Sequence, residues 1–334
     1  MLNRLFSTLA ASALAAALTA PALAQDRPTL TIYTYDSFAA EWGPGPQLKA
    51  GFEQTCNCTL DVISADSSVG ALRRVQLEGT TTSADIILGL DTATAGQARA
   101  TGLFAPHGLD LTESLAIEWA DPEFVPFDHG FFAFVYDTRV VTDPPTSFDE
   151  LIALPDDFKI VIQDPRSDTV GLGLVLWIKA IYGERAPEIW AGLRPHILTL
   201  TRGWSEAYAL FLNGEAEMVM SYTTSPAYHA VAEDDPNYAV ADFGAFFPQI
   251  EVAGILASSD QQDLARQFLA YLVSPEAQAL IPTTNWMYPV AGIGDALPAA
   301  FADLVVPREV LHIDEAEITA NTAPWIEEAL AAVQ

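Results

Sequence analysis

Basic residues are scarce in this sequence. Fifteen lysines and arginines face 44 aspartates and glutamates, a formal net charge of −29. Nucleic-acid binding calls for clustered Lys and Arg, so no such partner is expected, and anionic membrane surfaces are disfavoured. A cationic small solute would instead be drawn in by long-range steering. The same acidity serves solubility, and charge alone names no ligand. Cysteine is scarcer still, confined to Cys56 and Cys58 in TCNCTL. No second cysteine pair or nearby histidine completes a metal-ligand set there. The two thiols either form a strained, very local disulfide or stay reduced as structural residues. Catalytic signatures are missing too: no G-x-S-x-G elbow, H-E-x-x-H, P-loop or S-x-x-K occurs. His107, His129, His196, His229 and His312 lack metal-ligand spacing, and no positive sign marks a glycosidase-like carboxylate pair. No segment after the N-terminus approaches the roughly 20 apolar residues that span a bilayer, so no stable membrane insertion is expected.

The N-terminus itself, MLNRLFSTLAASALAAALTAPALAQ, has one early Arg, an apolar Ala/Leu run and a small-residue ALA before Gln25. It reads as a secretory signal peptide over 1–24, which makes the rest an exported, periplasmic chain. With 334 residues, 50% of them apolar and 18% charged, the chain has enough material for two lobes with substantial cores.

Residues 29–91 alternate strand and helix. TLTIYTY, CTLDVIS and ADIILGL have strand composition. GPQLKAGFEQT and VGALRRVQLEG carry helical spacing, the second closed by Gly79. This βαβαβ order predicts a doubly wound parallel sheet with right-handed crossovers. The pattern repeats from FKIVIQD through AEMVMSYTT. Two extended aromatic runs, FVPFDHGFFAFVYD and FFPQIEVAGILAS, read as crossovers between units and as hinges for closure. Lobe one is placed at 26–125 plus 250–300, lobe two at 126–249, and a C-terminal helical segment at 301–334 is left without a lobe.

Ligands of such sheets bind beyond the carboxyl ends of the strands. Those positions hold Tyr35-Asp36, Asp66-Ser67-Ser68, Asp91-Thr92, Asp164 to Thr169, Trp204 and Tyr222 to Ser225. Rings recur at loop positions: Tyr35, Trp42, Trp204, Tyr222, Tyr228 and Trp286. A cation over such a face gains about 0.5–2 kcal/mol, and its burial needs a carboxylate. Asp36, Asp66, Asp91 and Asp168 are candidates, each readable equally as an N-cap or turn residue. Rings plus carboxylates suit a flat, positively charged organic ligand.

The stretches TIYTYDSFAAEWGPGP, CNC, ADIILGLD, TGLFAP, FVPFDHGFFAFVYD, QDPRSDTVGLGLVLW, TRGWSEAYALFL, SYTTSPAYH and LVSPEAQ…IPTTNWMYPV, in that order, resemble the thiamine-binding periplasmic proteins of ABC uptake systems. The resemblance implies the two-lobed type II periplasmic binding protein fold. It implies capture of thiamine, with thiamine phosphates accepted by relatives, and delivery to an ABC transporter permease and its ATPase. It implies no catalytic residue and no cofactor, a Cys56–Cys58 disulfide and a monomer. Carried over by position, the ligand contacts are Ser67, Ser68, Asp168, Thr169, Trp204, Tyr222, Thr223, Thr224 and Ser225. Tyr35, Trp42, Tyr228 and Trp286 are further ring walls.

Two departures stand out. Asp66-Ser67-Ser68 replaces an acidic residue followed by Asp-Gly, so Asp66 takes over the acidic role or the local charge is lost. Asp168 stands where relatives carry a small hydroxyl residue, which puts a negative charge at a helix start suited to phosphate and predicts a preference for free thiamine. The rival readings are a receptor for a polyamine or another organic cation, and a secreted thiamine-cleaving enzyme. Ferric-ion receptors of this fold show adjacent tyrosines, whereas Tyr222 is followed by Thr223.

Overall fold

The computed structural model describes residues 27–333. The signal-peptide reading of 1–24 lies outside the described residues. The strands that matter here are β1 (Thr29–Tyr35), β2 (Thr59–Ala65), β3 (Ile86–Asp91), β4 (Phe124–Asp137), β5 (Ile160–Gln163), β6 (Ile197–Thr201), β7 (Met218–Tyr222) and β8 (Pro248–Leu256). They form one continuous path in the order β2-β1-β3-β8-β4-β7-β5-β6.

The path explains the two lobes. β1 pairs in parallel with β2 and β3, and β5 pairs in parallel with β6 and β7. Each trio is the parallel βαβ sheet that the alternation predicts. At the junction between the trios, β8 runs antiparallel to both β3 and β4, and β4 runs antiparallel to β7. Two chain crossings between the same two lobes must run in opposite directions, so they pair antiparallel. β4 is long enough to serve both sides: Phe124–Phe131 meets β8, and Phe132–Tyr136 meets β7.

Helices cover both faces. Ser67 caps helix Ser68–Glu78 (α1) by accepting the Gly70 N–H at 3.0 Å, and Gly79 ends it at φ +57°. That helix buries Ala71, Leu72 and Val75. Asp168 caps helix Thr169–Tyr182 (α2), accepting from the Val170 N–H at 2.8 Å. Apolar residues run all round this helix, as expected of a buried one. Ten consecutive residues, Thr169–Ile178, are indeed buried. Trp177 anchors the second-lobe core among Phe134, Phe148 and Phe246. The first lobe packs Leu30, Ile32, Phe52 and Phe268 around its own centre.

The C-terminal helix Glu315–Val333 (α3) packs on Ala186–Leu193 and on α2, and also touches Ala95–Ala100 of the first lobe. Its Ile318 and Ala329 enter the second-lobe core. Cys56 and Cys58 are joined in a disulfide at the end of helix Pro44–Cys56, with Asn57 in the left-handed region between them.

Candidate functional site

Between the lobes lies a cavity of about 550 Å³, a size suited to a small organic molecule. Its walls are the strand ends of both trios, as the topology requires. From the first lobe come Tyr35, Asp36 and Trp42 after β1, then Asp66, Ser67 and Ser68 after β2. The second lobe supplies Asp168 and Thr169 after β5, Trp204 after β6, and Tyr222, Ser225 and Tyr228 after β7, with Trp286 completing the ring. Thr223 and Thr224 do not line it. They are fully buried behind the wall, where the Thr223 N–H donates to the Phe131 carbonyl at 2.9 Å and the Thr224 hydroxyl faces the Met287 sulfur at 3.7 Å. Asp91 is likewise set back, its carboxylate accepting from the Thr94 N–H and hydroxyl at 2.9 and 2.8 Å, the turn role open to it.

The rings are fixed from behind. Tyr35 occupies space that only glycine at 89 allows: Gly89 has φ +102°, and a Cβ there would lie 2.3 Å from the Tyr35 ring. Trp204 stacks on Tyr208 with centroids 4.6 Å apart, and its indole N–H donates to the Ser221 hydroxyl at 2.8 Å. Ser221 and Ser225 share a hydrogen bond at 2.8 Å, so the wall is tied to the next turn. Trp286 has φ +57°, a strained setting for a bulky residue. Its ring lies edge-on to Tyr228 at 5.4 Å. Trp42 is 55% exposed and stands at the mouth.

Tyr208, Glu251 and Asn285 also line the cavity and were not anticipated. Tyr208 follows Trp204 by four residues on one helix, a spacing that puts both on one face. Glu251 is the one charged residue inside a mostly apolar crossover strand, which is a usable signal. Asn285 has no sequence signal at all.

Contacts also cross the mouth. The Ser67 hydroxyl donates to the Ser167 carbonyl, and Arg73 Nη2 donates to the Arg166 carbonyl at 2.7 Å. Arg202 and Asp66 approach to 3.5 Å, both largely exposed, so this pair contributes little.

The charge balance is one-sided. Among the described residues, Asp36, Asp66, Asp168 and Glu251 line the cavity and no lysine or arginine does. Burial raises Asp168 to about 7 against the pull of its Val170 and Gly171 N–H bonds. Burial likewise raises Asp128 to about 7 and Asp91 to about 6. An unfolded carboxyl titrates near 4, so between about pH 4 and 7 the folded chain holds more protons than the unfolded one, and stability falls as pH rises. Carboxylates held low by their hydrogen bonds, such as Glu53, act oppositely, and their contribution is lost below about pH 4. The ligand-free melting temperature is therefore expected to peak near pH 5 and to drop about 5 °C by pH 8. Thermal scans across that range check this; a flat or rising profile contradicts it.

Two facing lobes, strand ends converging from both and contacts across the mouth define a solute receptor of the periplasmic binding type. The bacterial extracellular solute-binding protein family matches residues 31–279. The chain is 47% identical over 313 residues to the thiamine-binding periplasmic protein of Escherichia coli K12, covering 93% of this chain and 94% of that one. It is 47% identical over 331 residues to the Brucella abortus protein of the same name, covering 98% and 99%. The solved structure of a periplasmic thiamin-binding protein superposes with a TM-score of 0.89 at 47% identity, over 92% of this chain and 97% of that one. The chain belongs to the family of thiamine-binding periplasmic proteins.

Proposed function

We propose that this protein captures thiamine in the periplasm and hands it to an ABC transporter permease with its ATPase. The observation that carries the reading is the cavity lining: among the described residues, seven rings and four carboxyl groups, with no lysine or arginine. Thiamine is a permanent thiazolium cation joined to a flat aminopyrimidine, and each half has a matching partner there. Ring faces attract the cation, carboxylates neutralise it, and closure of the mouth excludes water. A polyamine also presents cations to ring faces, but it has no flat heterocycle to fill the space between them. Cleavage of thiamine would need a nucleophile, and both cysteines are tied up in the disulfide outside the cavity.

The test is native mass spectrometry and titration calorimetry of the purified protein with thiamine, with spermidine as competitor. One-to-one thiamine binding, undisturbed by spermidine and with thiamine recovered intact, is the expected result. Spermidine binding in its place, or thiamine cleavage, overturns the reading.

Asp168 bears on the choice among thiamine compounds. A helix N-terminus is a natural phosphate site, but at α2 the Val170 N–H is already bonded to the Asp168 carboxylate, and at α1 the Gly70 N–H is bonded to Ser67. Free thiamine is expected to bind at least about tenfold more tightly than thiamine monophosphate, a difference of about 1.4 kcal/mol. Asp168→Ser should narrow the gap. Equal affinities in the unmodified protein contradict this.

A further inference from the structure

Asp128 and Glu251 stand opposite one another in register on β4 and β8, the two crossover strands. They are 0% and 5% exposed. The pairing slips by one residue just after Glu251, and such a bulge re-aims side chains. Here Glu251 reaches the cavity, while Asp128 sits behind it.

The partners of the pair are neutral. The Tyr35 hydroxyl donates to Glu251 Oε2 at 2.8 Å. Asn285 Nδ2 donates to Asp128 Oδ2 at 2.6 Å and lies 3.3 Å from Glu251 Oε2. Asp128 Oδ1 is buried and has no hydrogen-bond partner among the described residues. The other groups that act on Glu251 from packed elements are acidic or neutral. Asp91 comes from β3, and Tyr222 from β7. Gln249, on β8 itself, is spent on Asp91 at 3.3 Å.

Two adjacent buried carboxyls without a cation cannot both ionise, so they hold a proton between them. Burial first, then the Asp128 charge, pushes Glu251 well above the usual carboxylate range. A cation placed in the cavity is the counter-ion that the protein itself does not supply.

We propose that Asp128 and Glu251 work as one proton-sharing acid at the cavity wall, and that entry of a cationic ligand ionises Glu251 and expels the shared proton to solvent. This inference rests on the thiamine reading and adds to it a proton linkage and a specificity residue. Ligand and proton then compete for the same carboxyl. Affinity rises with pH through the neutral range, and a neutral isostere of the ligand loses the benefit.

The experiment is thiamine calorimetry on the full mature protein at pH 7, in phosphate and in Tris, which differ in ionisation heat. The expected result is a buffer-dependent heat equal to release of about half a proton or more, with affinity rising about tenfold from pH 6 to 8. Glu251→Gln, which keeps an acceptor for Tyr35, should lose most of both effects. Asp128→Asn, which puts a permanent donor where the shared proton sat, should lose most of the proton release. Infrared difference spectra of the unmodified protein should show a protonated-carboxyl band disappear on thiamine addition, a readout that needs no variant to fold. Tight thiamine binding with buffer-independent heat and no lost band overturns this inference and leaves the thiamine reading standing. So does a proton release that survives in Glu251→Gln and vanishes in Asp168→Asn. Failure of the unmodified protein to bind thiamine overturns both.

Discussion

Trp204→Ala is expected to weaken thiamine binding by about a hundredfold, close to 2.8 kcal/mol. Trp204 opens the helix Trp204–Leu212 after β6 and presents its ring to the cavity. The ring is held on both sides of its function, by stacking on Tyr208 and by the indole N–H bond to Ser221. Truncating such an anchored aromatic in a closed site typically costs about 2–4 kcal/mol, because contact area, the attraction of ring for cation and the exclusion of water go together. Trp204→Phe keeps a ring but gives up the bond to Ser221 and the extra area of the indole, so its loss should be about tenfold. Trp42→Ala, at the exposed mouth, should cost less than Trp204→Ala. Titration calorimetry on the three variants ranks them. If Trp42→Ala proves the most damaging, the deep wall is not where the ligand rests.

Gly203→Val should be as damaging by a different route. Gly203 belongs to the second lobe, and its φ of −156° is extended backbone open to any residue. A Cβ added there would lie 2.7 Å from the Asp66 carbonyl of the first lobe. That atom is backbone and cannot swing away, so the side chain acts as a wedge across the mouth. Each lobe keeps its own fold, and the ligand-free melting temperature should change by only the few degrees that an N-cap substitution costs. Thiamine affinity should fall at least about a hundredfold, since a ligand held by one lobe forgoes the contacts of the other. The loss should lie in faster release, seen by stopped-flow fluorescence, because an open mouth does not hinder entry. Small-angle scattering should show a ligand-loaded variant more extended than the unmodified protein. Unchanged affinity would mean that closure at this point does not contribute to capture.

The strand-end logic accounts for most of the predicted residues that line the cavity. Tyr35, Ser67, Asp168, Trp204 and Tyr222 each follow a strand, and a parallel trio brings its carboxyl ends to one edge. The turn after β7 shows the limit of that logic. Tyr222 and Ser225 face the cavity, while Thr223 and Thr224 between them are buried against Phe131 and Met287. Position after a strand places a residue at the right edge but does not choose which way its side chain turns. Glu251 and Asn285 escaped for another reason: each reaches the cavity from a crossover or a late loop, more than 200 residues from Tyr35, which it nevertheless approaches through a hydrogen bond.

The sequence by itself determined the two βαβ sheets, the crossovers, the acidic and aromatic character of the site and the family, because these follow from local periodicity, composition and ordered motifs. Only the tertiary structure decided that the junction is antiparallel, that the C-terminal helix packs mainly on the second lobe, and that Asp128, Glu251, Tyr35 and Asn285 meet at the cavity wall. Those outcomes depend on contacts between residues far apart in the chain, where burial and the need to pair every buried polar group are settled by the packing of whole elements against each other.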